Sequence, residues 1–135
     1  MNQIVPKEED EQIAFVQWCR YNKIIVHHSG NEIGGSTRSL KTRAIKMKKM
    51  GTSKGFPDLL VFIPQKGVTG RVDAYQPAAI EMKRKKGSTT SPEQKEWLRV
   101  LEKAGIPCRI CKGCEEAIKF INEVKEEMGG ICIDF

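Results

Sequence analysis

A chain of 135 residues with 39% hydrophobic and 30% charged residues is long enough for one real core and too short for two, so a single globular domain over 1–135 is expected. No apolar run approaches the length of a membrane helix and residues 1–7 lack the apolar stretch of a signal peptide, so no membrane helix is expected and a cytosolic protein is. The net charge of +6 with a pI near 9.1 favours a polyanionic partner.

In chain order, residues 8–21 read as a helix. Glu8, Glu11, Gln12, Phe15, Trp18 and Cys19 recur at spacings of three and four, giving a stripe that is polar at its start and apolar at its end. The helix dipole accounts for Glu9 and Asp10. Glu11 differs, because it shares the stripe that Phe15 anchors to the core. Residues 23–28 read as a short strand centred on Ile24, Ile25 and Val26, followed by a glycine-rich loop at 29–36. Alternation sends His27 and His28 to opposite faces, so at most one faces a site, and a structural or surface role is favoured.

Residues 39–50 read as a helix with Leu40, Ala44, Met47 and Met50 on its apolar side. From Ile33 to Pro57 there is no Asp or Glu, while Arg38, Lys41, Arg43, Lys46, Lys48, Lys49 and Lys54 all fall there. A solvated helix face is the plain explanation; phosphate binding is favoured over it. Residues 51–55 form a glycine-containing turn whose amides offer close approach to a phosphate, and Pro57 fixes the backbone ahead of Asp58.

Residues 55–63 and 78–83 read as two strands of a hairpin. Each carries an acid that patterning does not ask for: Asp58 at the start of the first, Glu81 near the end of the second. Glu81 and Lys83 share a face, while Met82 points away and turns its carbonyl near them. Two carboxylates and a main-chain carbonyl make a hard, all-oxygen site for Mg²⁺ or Mn²⁺. With an ammonium beside it, that set suits hydrolysis of a phosphodiester. Arg84, Lys85 and Lys86 then leave the strand as a basic run suited to a nucleic-acid backbone.

Ser91, Pro92 and Gln94 open the next helix, with Ser91 as N-cap and Gln94 in the capping-box position. Gln94 also shares the stripe of Trp97, Leu98 and Leu101, which must face the core. Gly105 ends the helix, 107–111 is a strand, and 115–128 is a last helix with Ala117, Ile118, Ile121 and Val124 inward and Glu115, Glu116, Glu123, Glu126 and Glu127 as a solvated face. Residues 129–135 are apolar for a tail and are expected to pack on the domain or on a second subunit. Cys108, Cys111 and Cys114 have zinc or iron–sulfur spacing. Residues three apart on a strand face opposite sides, so free thiols are favoured.

The order α, β, α, β, β, α, β, α is that of an α/β domain with helices around a small mixed sheet. Gly55-Phe56-Pro57-Asp58-Leu59, Ile80-Glu81-Met82-Lys83-Arg84-Lys85, Ser91-Pro92-Glu93-Gln94-Lys95-Glu96-Trp97-Leu98 and Glu11-Gln12 resemble the VRR-NUC family of PD-(D/E)xK nucleases, particularly its stand-alone phage and bacterial members, over residues 8–125. The chain departs from related sequences in placing Gly30-Asn31 inside a longer glycine-rich segment. The resemblance implies a restriction-endonuclease-like fold and an endonuclease dependent on Mg²⁺ or Mn²⁺. Asp58, Glu81 and the Met82 carbonyl would hold the metal, and Glu11, with Glu8 as fallback, would complete its shell. Lys83 would activate or position water, and Gln94 would orient a ligand or the phosphate. It implies further a homodimer in the bacterial or phage-infected host cytosol, acting on branched DNA such as Holliday junctions in repair or recombination. The competing readings are a basic DNA-binding protein without catalysis and a nuclease for flaps or single strands.

Overall fold

The apolar residues Leu59, Val61 and Ile63, every second position of one strand, fix which way the sheet faces. In the computed structural model, which describes residues 4–29 and 37–133, the chain runs α1 (Glu8–Tyr21), β1 (Ile25–His28), α2 (Thr37–Lys49), β2 (Leu59–Lys66), β3 (Val72–Lys83), α3 (Pro92–Lys103), β4 (Cys108–Lys112) and α4 (Cys114–Ile133). This is the expected order. The four strands lie in the sequence β1-β2-β3-β4. The first two pairings are antiparallel and β3 with β4 is parallel, so the sheet is mixed and α3 is the crossover that a parallel pair requires.

One face of the sheet buries Leu59, Val61, Ile63, Ala78, Ile80, Met82 and Cys111 against Phe15 and Cys19 of α1 and Ala117, Phe120, Ile121 and Val124 of α4. Removing the Leu, Ile, Val, Phe and Met side chains among them from water contributes roughly 1.5–3 kcal/mol apiece, so this layer of two helices holds the sheet firmly. The other face carries α3, whose Leu101 is buried and whose Leu98 carbonyl accepts from Cys108 Sγ at 3.2 Å.

The boundaries differ from expectation where local signals mislead. Lys23 takes a left-handed φ of 63° in the turn after α1, so β1 begins at Ile25. β3 begins at Val72 rather than Ala78, because the hairpin ladder continues through Gln76–Ile63 and Tyr75–Pro64 into residues 72–75, which are exposed and lack a strand's apolar alternation. α4 runs through Gly129 and Gly130 to Ile133, so most of the expected tail is helical backbone; Asp134 and Phe135, like the loop holding Gly30 and Asn31, lie outside the described residues. The apolar side expected for α2 is hardly used: Leu40 and Met47 are half-buried, whereas Ala44 and Met50 are exposed. Among the described residues, no helix is long and apolar enough to cross a membrane.

Candidate active site

Register does most of the work. Leu59 pairs with Ile80, so Asp58, one residue ahead of β2, stands opposite Glu81. The two acids are cross-tied through the backbone: the Asp58 N–H donates to Glu81 Oε2 at 3.2 Å, and the Met82 N–H donates to Asp58 Oδ2 at 2.9 Å. Lys83 Nζ lies 3.7 Å from Glu81 Oε1, and both side chains are almost fully enclosed. Met82 sends its side chain into the core as alternation requires. Its N–H faces the Asp58 edge, and in a strand the carbonyl of the same residue faces that edge too, whereas the Lys83 carbonyl accepts from the Gly113 N–H at 3.1 Å.

Gln94 fills both of the roles that its position suggests. The Gln94 N–H donates to Ser91 Oγ at 3.1 Å and Gln94 Oε1 accepts from the Ser91 N–H at 3.0 Å, a complete capping box. The same Oε1 accepts from Lys83 Nζ at 3.2 Å, and Gln94 Nε2 donates to Glu81 Oε1 at 2.7 Å. The start of α3 is thereby bolted to the end of β3. Gly55 completes the arrangement. With φ at +86° and room for nothing larger, since a Cβ would lie 2.7 Å from the Glu93 carbonyl carbon and 2.8 Å from the Gln94 nitrogen, it seats the loop carrying Asp58 directly on the first turn of α3. The turn was expected to offer glycine amides to a phosphate; at Gly55 the close neighbour is protein backbone instead.

Enclosure has an electrostatic consequence. Burial pushes the Glu81 carboxyl up to about 8, with the nearby Asp58 charge acting in the same direction and Lys83 opposing it. Asp58 is also raised, chiefly by burial, against the lowering effect of the Met82 N–H and the charges of His28 and Lys83. Two facing carboxylates that one ammonium does not fully compensate form a donor set that fits a hard divalent cation.

Glu11 is 8% exposed yet is not brought to the pair. Its Oε2 accepts from the Cys114 N–H at the start of α4, and Oε1 lies 3.9 Å from Lys85 Nζ. Among the described residues, no three His, Cys, Asp or Glu side chains gather as a metal-holding group. Glu8 is half-buried on the same helix. His28 is the histidine on the site's side, bonded through Nδ1 to Gln12 Nε2 at 2.6 Å and close enough to act on Asp58.

Of the basic residues, Lys41, Arg43, Lys46, Lys48 and Lys49 lie exposed along α2, and Arg38 belongs to its first turn. Lys54 Nζ is 3.8 Å from Glu93, Arg84 donates to the Val5 carbonyl at 3.4 Å, and Lys86 is exposed. The three clustered cysteines are divided: Cys108 donates toward α3, whereas Cys111 lies in the α1/α4 core and Cys114, at the start of α4, packs against that core. Burial raises all three thiols, Cys111 to about 12. The acids of α4 are less idle than a solvated face suggests, since Glu116 accepts from the Lys112 N–H at 3.1 Å and Glu123 pairs with Arg109 at 2.6 Å.

Two contributors carry little signal in the sequence. Ser29 donates from Oγ to the Pro57 carbonyl at 2.5 Å, and its N–H bonds the Asp58 carbonyl at 2.8 Å; its only mark is a small hydroxyl residue at the end of a strand. Gln12 stands beside Glu11 without an obvious partner, and pairing it with His28 needs the strand register.

No curated protein matches the sequence. A solved structure described as a VRR_NUC domain protein superposes with a TM-score of 0.62 at 25% identity, covering 91% of this chain and 89% of that one. The family model of the VRR-NUC domain matches residues 3–115, which include every element of the carboxylate site. On that match, and with the paired acids, lysine and glutamine in place, the chain belongs to the VRR-NUC domain family and is a nuclease domain.

Proposed function

We propose that this chain is a divalent-cation-dependent endonuclease that hydrolyses phosphodiester bonds in DNA. The observation that carries the reading is the enclosed Asp58–Glu81 pair with Lys83 Nζ at 3.7 Å and Gln94 bridging acid and ammonium. Asp58, Glu81 and the Met82 carbonyl would hold Mg²⁺ or Mn²⁺, which would offset charge on the phosphate and make water a better nucleophile. Lys83 positions water or a phosphate oxygen by its ammonium, and Gln94 holds Glu81 and Lys83 within reach of each other, so neither has to be organised during the reaction. Glu11, the third acid that the resemblance implies, would have to leave the Cys114 N–H to complete the metal's shell.

The cationic, acid-free α2 and the basic residues Arg84, Lys85 and Lys86 track the DNA backbone. Branched DNA of the Holliday-junction type, cut in repair or recombination by two copies related by a twofold axis, is the substrate reading that the family resemblance supports, because a symmetric pair sets two sites against two strands.

The test is cleavage of end-labelled four-way junction, flap, duplex and single-stranded DNA with Mg²⁺, Mn²⁺ or EDTA, comparing wild type with Glu81→Ala. Metal-dependent cutting that the substitution abolishes while DNA binding persists is the expected result. No cutting of any substrate, with binding intact and indifferent to metal, leaves a basic DNA-binding domain in its place.

A further inference from the structure

A groove beside the carboxylate pair has an aromatic wall that none of the roles assigned above uses. One end is a cavity of about 310 Å³ lined by Ser29, Gly51, Thr52, Ser53, Phe56 and Trp97. Gly51, Thr52 and Ser53 are shared with a wider cavity of about 620 Å³ that continues to Met47 and Lys48 of α2 and to Lys54. Phe56 and Trp97 meet edge to face, with ring centroids 5.0 Å apart and planes at 77°. Both remain half-buried, so their contact does not consume their surfaces.

The position of this groove is tied to Asp58. Phe56 is two residues ahead of it, and Ser29 bonds both the Pro57 and the Asp58 carbonyls. Its chemistry is aromatic surface with hydroxyls from Ser29, Thr52 and Ser53 around it, which suits a flat heterocycle with polar edges. Its charge is positive on the α2 side: Lys54 at the rim is paired with Glu93, which also lines the cavity, but Lys48 stands exposed and α2 beyond it contains several cations and no acid. A base inside a duplex is stacked and out of reach of a recess, whereas an unpaired one can leave the stack and lie on an aromatic ring.

Resting on the nuclease reading, we infer that this groove receives one unpaired nucleobase of the substrate strand, stacked against Trp97 and Phe56, from a nucleotide near the bond that is cut. The chain thereby selects DNA with unpaired or easily opened nucleotides at the cleavage point through base stacking, without reading which base it is.

The experiment places 2-aminopurine at successive positions of a branched DNA with unpaired nucleotides and of a fully paired duplex. Fluorescence is followed on binding in EDTA to wild type, Trp97→Phe, Trp97→Leu and Phe56→Leu. In parallel, an abasic site is walked through the same positions and cleavage is measured with Mn²⁺. Quenching at one unpaired position, kept by Trp97→Phe and lost by Trp97→Leu, is expected. Cleavage should fall about tenfold for an abasic site at that position. Equal cleavage of every abasic substrate, or quenching that Trp97→Leu leaves unchanged, overturns the inference while leaving the nuclease reading intact. Absence of cleavage on all substrates with Trp97-dependent quenching retained does the reverse: the groove stands as a base site and the nuclease reading falls. Should Trp97→Leu fail to fold, the abasic series on wild type decides alone.

Discussion

Two regions of this molecule meet DNA in the proposed function, and they are built on opposite plans. At the ends of β2 and β3 nearly every polar atom has a partner. Asp58, Glu81, Lys83, Gln94 and Ser91 form one connected set of hydrogen bonds and an ion pair, closed from behind by the α1/α4 core. Along α2, by contrast, lysines stand exposed on a helix that buries little. The difference teaches where geometry matters and where charge suffices. Metal and water chemistry needs atoms fixed to fractions of an ångström, whereas a polyanion is held by cations placed anywhere along its length.

The comparison is broken most severely at its ordered end. Asp58→Asn or Glu81→Ala should lower single-turnover DNA cleavage at least about 100-fold while leaving the dissociation constant for DNA within a factor of a few, measured by gel shift at fixed salt. Next in size is Gly55→Ala. A Cβ pressed on the Glu93 and Gln94 backbone at a left-handed φ should cost roughly 2–3 kcal/mol in urea denaturation and also slow cleavage, because Asp58 and Gln94 lose their common seat.

The carboxylate pair also predicts a pH dependence. A Glu81 raised from about 4.5 to about 8 contributes stability that is fully present below the lower value and lost as pH rises through the upper one, since the folded state holds a proton that the unfolded chain gives up. In EDTA the melting temperature should therefore fall as pH rises from about 5 to about 8. Glu81→Gln should flatten that slope. The smallest effect on the fold belongs to α2. Replacing Lys41, Lys46, Lys48 and Lys49 by Gln should leave stability within about 0.5 kcal/mol. The same change should reduce the salt dependence of DNA binding by about 0.9 in logarithmic slope for each phosphate that is no longer neutralised.

How much of this is legible in the chain follows the same division. The element order and the convergence of Asp58, Glu81 and Lys83 are readable because strand alternation and turn residues are local signals. The Gln94 capping box is readable for the same reason, being written within four residues. What stays hidden depends on elements far apart in sequence. The site role of Gln94 toward Glu81 comes only from family resemblance. That Glu11 meets the Cys114 N–H rather than the paired acids requires the packing of α1 on α4. The closeness of Gly55 to α3 requires knowing which loop lies on which helix. The exposed half of β3 escapes because its pairing is made by the backbone, and exposed side chains leave no apolar period to read.

The hydrogen bond between Glu11 and Cys114 spans a sequence separation of 103 residues, nearly the whole matched region. Its partner is made last. α1 turns Phe15 and Cys19 into the core, and the surface that covers them is shared between Leu59, Val61 and Met82 of the sheet and Ala117, Phe120 and Ile121 of the helix that Cys114 begins. The seat of the first helix therefore includes a contact that closes a very long loop, and such closure carries an entropic cost. A chain lacking α4 would keep Asp58, Glu81, Lys83 and Gln94 on β2, β3 and α3 but lose Ala117, Phe120 and Ile121 from the layer behind their sheet, so the last helix supports the nuclease site from behind.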